Sequence, residues 1–115
     1  MRLNEGLTAL GSANDEYGIF QGSALTEVIL PSTMQVLGVQ AFCNCEQLRR
    51  ITLPLGLKEI KPRCFWNTGL ERIAIPKSVV RICEGTFYGC VWLEEVQIER
   101  TDKIAVGKSA FGKTP

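Results

Sequence analysis

The chain has 115 residues, enough for one domain of ordinary size that buries roughly two thirds of the surface its unfolded form exposes. Lysine plus arginine number 13 and aspartate plus glutamate 12, so the net charge gives no electrostatic reason to expect nucleic acid or an anionic membrane as the main partner. Histidine is absent, which removes the common activated nucleophiles, the commonest general base near neutral pH and histidine-ligated zinc.

The N-terminus gives no sign of a secretory signal, because residues 1–6 carry polar and acidic side chains where a continuous apolar stretch would be needed. The longest apolar runs in the chain are about strand length, far below the roughly 18 residues of a membrane span. We therefore predict a soluble chain without membrane insertion. An insertion at residues 12–19 separates Leu10 from Phe20, and the chain is expected to begin inside an irregular coil.

A repeat organises the rest of the chain. The five phenylalanines lie 22, 23, 22 and 24 residues apart, and four leucines follow at steps of 23, 22 and 23. A period of this length predicts stacked coils that share one continuous core, and we expect all five phenylalanines in one buried column. The repeating residues are Phe20, Phe42, Phe65, Phe87 and Phe111, and Leu25, Leu48, Leu70 and Leu93.

Each coil begins with alternating apolar and polar residues, which predict a half-buried strand. We expect strands near residues 26–30, 49–53, 71–75 and 94–98. Proline ends the first three strands because it has no amide hydrogen for the next ladder bond. Two apolar residues spaced three apart follow and predict a tight turn or short bent segment on the opposite face. These pairs are Met34 and Leu37, Leu57 and Ile60, and Val79 and Ile82.

The residues after each phenylalanine predict a left-handed turn. Glycine or asparagine, the two types that best tolerate a positive φ angle, stands two positions after the ring. A small hydroxyl or thiol side chain follows and is expected to satisfy a backbone group at the turn. The turn residues are Gly22, Asn44, Asn67 and Gly89, and the small residues are Ser23, Cys45, Thr68, Cys90 and Thr114.

The five cysteines are interpreted as structural. Their number is odd, and Cys43 and Cys45 lack the spacing of a zinc knuckle. Cys45 and Cys90 occupy the same slot two coils apart, about 10 Å by the stacking interval, which is beyond disulfide reach. We predict no intrachain disulfide, no metal and no cofactor.

An enzyme is the weaker alternative. Its best chemistry would be a cysteine near Arg63 or Arg81, or a carboxylate pair among Glu94, Glu95 and Glu99. No histidine is present to activate a thiol, and neighbouring residues on a strand point to opposite faces. We predict no catalytic residues.

The repeat, as in the segment from Leu70 to Cys90, resembles the BspA-type leucine-rich repeats of bacterial surface and secreted proteins and of many protist proteins. The resemblance implies a right-handed solenoid used for adhesion or protein recognition, with no common enzymatic activity. We therefore predict a leucine-rich-repeat solenoid, mainly β with short turns or 3-10 segments on the outer face, forming one domain. About four and a half coils are expected, at residues 1–24, 25–47, 48–69, 70–92 and 93–115, the first and last irregular.

Outward residues at equal repeat positions should form columns along the stack. One interpretation is a recognition surface with a central arginine pair that grips carboxylates or a backbone. The alternative is a charge ladder that compensates itself, with exposed pairs worth about 0 to 1 kcal/mol. The first column is Glu27, Arg50, Arg72 and Glu95, and the second is Ile29, Thr52, Ala74 and Gln97.

Three aromatic residues offer another candidate surface: Trp66, Tyr88 and Trp92. Exposed aromatic side chains are enriched at interaction sites. Rings that lie flat over the edge of the coils are the alternative, because tryptophan and tyrosine are usually half-buried. One shared open apolar patch would favour binding.

The sequence therefore predicts a non-enzymatic interaction module for a protein or a glycan. The alternative is a structural spacer or self-association unit. No capping unit is evident at the C-terminus, so we expect a fragment of a longer protein or end-to-end association through the last coil. Unpaired cysteines favour the cytoplasm, whereas the resemblance admits the cell surface. The last coil is expected to contain Leu93, Val96, Ile98, Val106 and Phe111.

Overall fold

The computed structural model describes residues 6, 9–10, 20–99 and 105–112. The insertion at residues 12–19 and the slot residue Thr114 lie outside this part. The described residues form short parallel strands and no helix. The strands are β1 (Ala9–Leu10), β2 (Glu27–Ile29), β3 (Val36–Leu37), β4 (Arg50–Thr52), β5 (Glu59–Ile60), β6 (Arg72–Ile75), β7 (Arg81–Ile82), β8 (Glu95–Ile98) and β9 (Ala105–Val106).

The predicted strands at the start of each coil are confirmed as β2, β4, β6 and β8. Their apolar residues Val28, Ile51 and Ile73 are buried, and the residues on either side are exposed except for the half-buried Ile29, as the alternation requires. The carbonyl of the following proline accepts a hydrogen bond from the amide three residues later; Met34 N, for example, donates to Pro31 O at 3.1 Å. This bond closes the turn that leads to the opposite face.

The opposite face is more regular than the sequence indicates. The predicted turns are present, but each is followed by a two-residue strand, and these strands form a five-stranded parallel sheet in the order β1-β3-β5-β7-β9. Leu37, Ile60 and Ile82 occupy one buried row of this sheet. Two residues are too few to show alternation, so the apolar spacing of three could not distinguish these strands from bent segments.

The phenylalanines form the predicted column through the coils. Adjacent rings stack with centroids 5.3 to 5.6 Å apart. The three inner rings are fully buried, whereas Phe20 and Phe111 are only partly buried. The expectation that all five are buried is wrong for these two outer rings, because each has a ring neighbour on one side only.

The third side of each coil is the turn around the phenylalanine. Here an amide of one coil donates to a carbonyl of the next, as from Phe42 N to Cys64 O and from Phe65 N to Thr86 O, both at 2.9 Å. Positive φ angles are confirmed two residues after the ring, at Gly22, Asn44, Asn67 and Gly89. The structure adds a second set two residues before the ring, at Gln40, Arg63, Gly85 and Ser109.

Two of the small residues that follow the left-handed turns, Cys45 and Cys90, bind backbone as predicted. The Cys45 thiol donates to the carbonyl of Phe20 and the Cys90 thiol to that of Phe65, each at 3.0 Å. Thr68 lies between the two cysteines, with its Oγ1 3.2 Å from Cys90 Sγ. All five cysteines are free and buried.

The strands at the start of the coils do not form one continuous ladder. β2 pairs with β4 and β6 pairs with β8, but β4 and β6 are not paired. At this break the loop before β6 is one residue shorter than the loop before β4, since only Gly69 separates Thr68 from Leu70. The Arg49 guanidinium fills the space over Gly69, where a Cβ atom would meet it.

Candidate binding surface

The strand face consists of seven exposed residues that the sequence assigned to two outward columns. Register places Glu27 beside Arg50 and Arg72 beside Glu95, and it places Ala74 beside Gln97. Ile29, beside Thr52 in the second column, is half-buried. The strand face is Glu27, Arg50, Thr52, Arg72, Ala74, Glu95 and Gln97.

The strand face contains an open groove of about 260 Å³, which we call the arginine groove. Arg72 Nε lies 3.9 Å from Glu95 Oε2, and both side chains are mainly exposed, so solvent screens the pair strongly. Arg49 is fixed differently, because its Nη1 donates to Glu46 O at 2.8 Å and to Gly69 O at 3.2 Å. The groove is lined by Arg49, Arg50, Glu71, Arg72 and Glu94.

Three lining residues of the arginine groove, Arg49, Glu71 and Glu94, were not predicted to belong to the strand face, and Glu94 was considered only for the enzyme alternative. Each lies one position before a strand, outside the alternating pattern that identified the columns. Their position immediately before a column residue is the signal that could have found them.

Trp66 and Tyr88 lie together, as their equal repeat positions predict. Their rings stack with centroids 4.3 Å apart and an interplanar angle of 23°. Trp66 also lies over the backbone of Gly85, since a Cβ atom there would be 2.9 Å from the indole. The two rings line a groove with Arg63, Glu84 and Lys108.

Trp92 does not share that groove. It is 64% exposed and lines a different groove with Val91 and Asn67. The structure therefore does not assemble the proposed patch of three aromatic residues. The reason is that Trp92 belongs to the loop before β8, beyond the left-handed turn at Gly89, whereas Trp66 and Tyr88 precede the corresponding turns.

A further groove of about 360 Å³ lies at the phenylalanine turns, on the side of Trp66 toward the first coils. We call it the turn groove. Apart from the Arg63 guanidinium, its polar side chains are neutral amides and a thiol. Of its lining residues, only Trp66 was predicted to contact a partner. The recurrence of amide side chains near Phe20 and Phe42 was the available signal for the others. The lining residues are Gln21, Gln40, Cys43, Asn44, Arg63 and Trp66.

The cysteines are placed for packing rather than for nucleophilic chemistry. Burial raises the pKa of Cys43, Cys64, Cys83 and Cys90 above the ordinary value of a thiol. Arg63 lowers the pKa of Cys43 and Arg81 that of Cys83, but burial outweighs both effects. Across residues 20–99 and 105–112, no three cysteine or acidic side chains are grouped to hold a metal ion.

The last described coil exposes apolar side chains that its predecessors bury. Ile98 is 37% exposed and Val106 51%, whereas their register partners Ile75 and Ile82 are fully buried. Leu93 in the same coil is buried and Val96 is partly buried. The core therefore has an open apolar side at β8 and β9.

Comparison with known proteins agrees with this architecture. A leucine rich cell surface protein from Faecalibacterium prausnitzii shares 24% identity with a TM-score of 0.58, over 94% of this chain and 35% of the other. A leucine-rich repeat protein from Eubacterium ventriosum shares 27% identity with a TM-score of 0.56, over 89% and 32%. The chain thus spans about a third of the length of these two proteins, and the first shows a likeness of fold alone.

No curated protein matches the chain. In the part that the structure describes, no helix is long and apolar enough to cross a membrane. The family described as the BspA type leucine rich repeat region (6 copies) matches residues 16–115. The chain therefore belongs to the BspA-type leucine-rich repeat family.

Proposed function

We propose that this chain is a non-enzymatic interaction module that binds a protein segment through the strand face. Leucine-rich repeat domains are generally protein-interaction or surface-adhesion modules. The observation that carries the proposal is the set of seven exposed side chains held in register within two strand pairs, β2 with β4 and β6 with β8. A rigid array binds with little loss of conformational entropy.

The charges of the strand face support recognition better than they support stability. Arg50 and Arg72 are exposed at the centre and flanked by Glu27 and Glu95. An exposed pair such as Arg72 with Glu95 contributes about 0 to 1 kcal/mol to folding. The same guanidinium groups bind carboxylates in a bidentate manner when a partner excludes water from them. The array therefore fits a segment with acidic residues at its centre.

The test uses a phage-displayed library of random dodecapeptides selected on the full chain. Selected peptides are then titrated against the variant Arg50→Ser/Arg72→Ser. The control Lys58→Ser/Arg81→Ser removes the same charge from exposed positions at and before the five-stranded sheet. We expect peptides rich in acidic residues that lose at least about tenfold in affinity only with the strand-face variant. Equal binding to both variants would contradict the proposal.

Self-association is a second candidate, favoured by the open apolar side at β8 and β9. We propose that a second copy covers Ile98 and Val106, because exposed apolar surface of this kind recruits another chain. Light scattering over a hundredfold dilution should show a mass that rises with concentration. Val106→Lys should remove this rise, since the side chain is half exposed and the charge leaves the fold intact. A strict monomer at every concentration would refute this candidate.

The proposal covers residues 1–115 as one unit and includes no catalytic step. Free cysteines favour a reducing compartment as a rule, but here burial raises the pKa of four thiols and slows their oxidation. Free cysteines are therefore compatible with the cell surface as well as with the cytoplasm, and both locations remain predictions for this chain.

A further inference from the structure

We propose that the turn groove binds a neutral pyranose unit of a glycan, independently of the strand face. The groove lies at the phenylalanine turns and has a volume of about 360 Å³, within the ordinary range for small-ligand sites. Its lining combines one indole ring, amide side chains and one guanidinium group. This combination matches a ligand with an apolar ring face and hydroxyl groups at its edge.

Trp66 supplies the apolar face. Tyr88 covers one side of the indole at a centroid distance of 4.3 Å. The equivalent residue in the preceding coil is Cys43, which is small and only 5% exposed, so no second ring covers the other side. The exposed Arg63 guanidinium lies over the indole, with its carbon 5.4 Å from the ring centroid, and a pyranose that packs on the indole takes the place of this side chain. The C–H bonds of a pyranose pack on such a ring, because they meet the negative face of its quadrupole.

The amides supply hydrogen bonds of both kinds. An amide side chain carries two donors and an acceptor, which suits hydroxyl groups that also donate and accept. Asn44 Oδ1 accepts from Asn67 Nδ2 at 3.3 Å, which fixes the orientation of the amide and leaves the Asn44 Nδ2 donor for the groove. The Gln40 amide has no side-chain partner among the described residues and is available to a ligand.

The charge distribution separates this groove from its neighbours. Arg63 is its single charged residue, and its guanidinium carbon lies 5.4 Å from the centroid of the Trp66 ring. The adjoining groove contains Glu84 and Lys108 and would suit a charged ligand. A proline-rich peptide fits less well, because such peptides occupy slots between aromatic rings and the stacking of Trp66 on Tyr88 closes that slot.

The experiment is a titration of the isotope-labelled full chain, followed by NMR, with two probes. These are the β-1,4-linked tetramer of N-acetylglucosamine and maltotetraose. The chain has two tryptophans, so the indole N–H resonance of Trp66 reports on the groove and that of Trp92 is an internal control. We expect saturable movement of the Trp66 resonance with at least one probe, and no movement of the Trp92 resonance.

Two variants remove ligand contacts by introducing residue types that another coil carries at the equivalent position. Gln40 has a φ angle of 57°, and glycine occupies the same slot at Gly85, so Gln40→Gly should fold normally and weaken binding about three- to tenfold through one lost hydrogen bond. Trp66→Gln introduces the residue type that occupies the equivalent position of the first coil, Gln21, and should weaken binding at least about tenfold. Trp92→Ala should bind as the wild type does.

Two results would overturn the proposal. One is the absence of any Trp66 shift with either probe up to about 10 mM. The other is a Trp66 shift with a proline decapeptide in place of the oligosaccharides, which would identify a peptide site. The variant Arg50→Ser/Arg72→Ser should keep full oligosaccharide binding, so failure of the strand-face proposal and failure of this one are distinguishable.

Discussion

Replacement of Phe65 by alanine should destabilise the chain more than any other single truncation in the phenylalanine column. Phe65 is fully buried, and its ring stacks on Phe42 at 5.6 Å and on Phe87 at 5.4 Å. A buried Phe→Ala change costs about 3–5 kcal/mol through lost transfer energy and the cavity that remains. Because coils interact only with their neighbours, a cavity in the middle coil also weakens the coupling between the two ends.

Two further variants separate the contributions. Phe65→Leu keeps most of the side-chain volume but loses both ring contacts, each worth about 0.5–1.5 kcal/mol, so we expect a loss of about 1–3 kcal/mol. Phe20→Ala removes a half-buried ring with one ring neighbour, and we expect about half the loss at Phe65. Urea unfolding followed by circular dichroism and by tryptophan fluorescence measures all three. A loss below about 1 kcal/mol for Phe65→Ala, or equal losses at Phe20 and Phe65, would refute the packed column.

Three other predictions concern cysteines and glycines. Burial raises the pKa of Cys64 above 9.0, so the folded protein retains a proton that the unfolded chain loses at high pH. The free energy of unfolding should therefore be at its full value below about pH 9 and fall as the pH rises further. Urea midpoints compared from about pH 7 to 10.5 should show a smaller fall in Cys64→Ala. Gly85→Ala should lower the free energy of unfolding by about 1–3 kcal/mol in the same assay, since its φ angle is 63° and a Cβ atom would meet Trp66 at 2.9 Å; an unchanged midpoint would contradict the packing of that ring. Non-reducing peptide mapping should find every cysteine unlinked, and a peptide joining Cys45 to Cys90 would mean that the coils are not stacked as described.

The main strands, the phenylalanine column and the left-handed turns could be predicted because each is encoded by a residue type at a fixed repeat position. Proline ends β2, β4 and β6 for a reason that is local to the backbone. The positive φ angles after the ring were predictable, since Asn44 and Gly89 have the residue types that tolerate them. Such features need no knowledge of the neighbouring coil.

Features that depend on neighbouring coils could not be predicted. The positive φ angles at Gln40 and Arg63 use residue types that give no local signal, and the hydrogen bonds between coils maintain them. The break between β4 and β6 coincides with the shorter loop at Gly69, over which the Arg49 guanidinium lies. The turn groove exists because a small Cys43 stands beside Trp66, and only the stacking of coils reveals that neighbour.

Chemical-shift mapping of a library-selected peptide on the isotope-labelled chain tests most directly whether the strand face is the contact surface, as we propose. The largest amide shifts should fall in β4 and β6, at residues 50–52 and 72–75, and in the strands paired with them. Residues of the five-stranded sheet and of the turn groove should remain unshifted. Shifts centred on Trp66 or on residues 81–82, with β4 and β6 unchanged, would contradict the account.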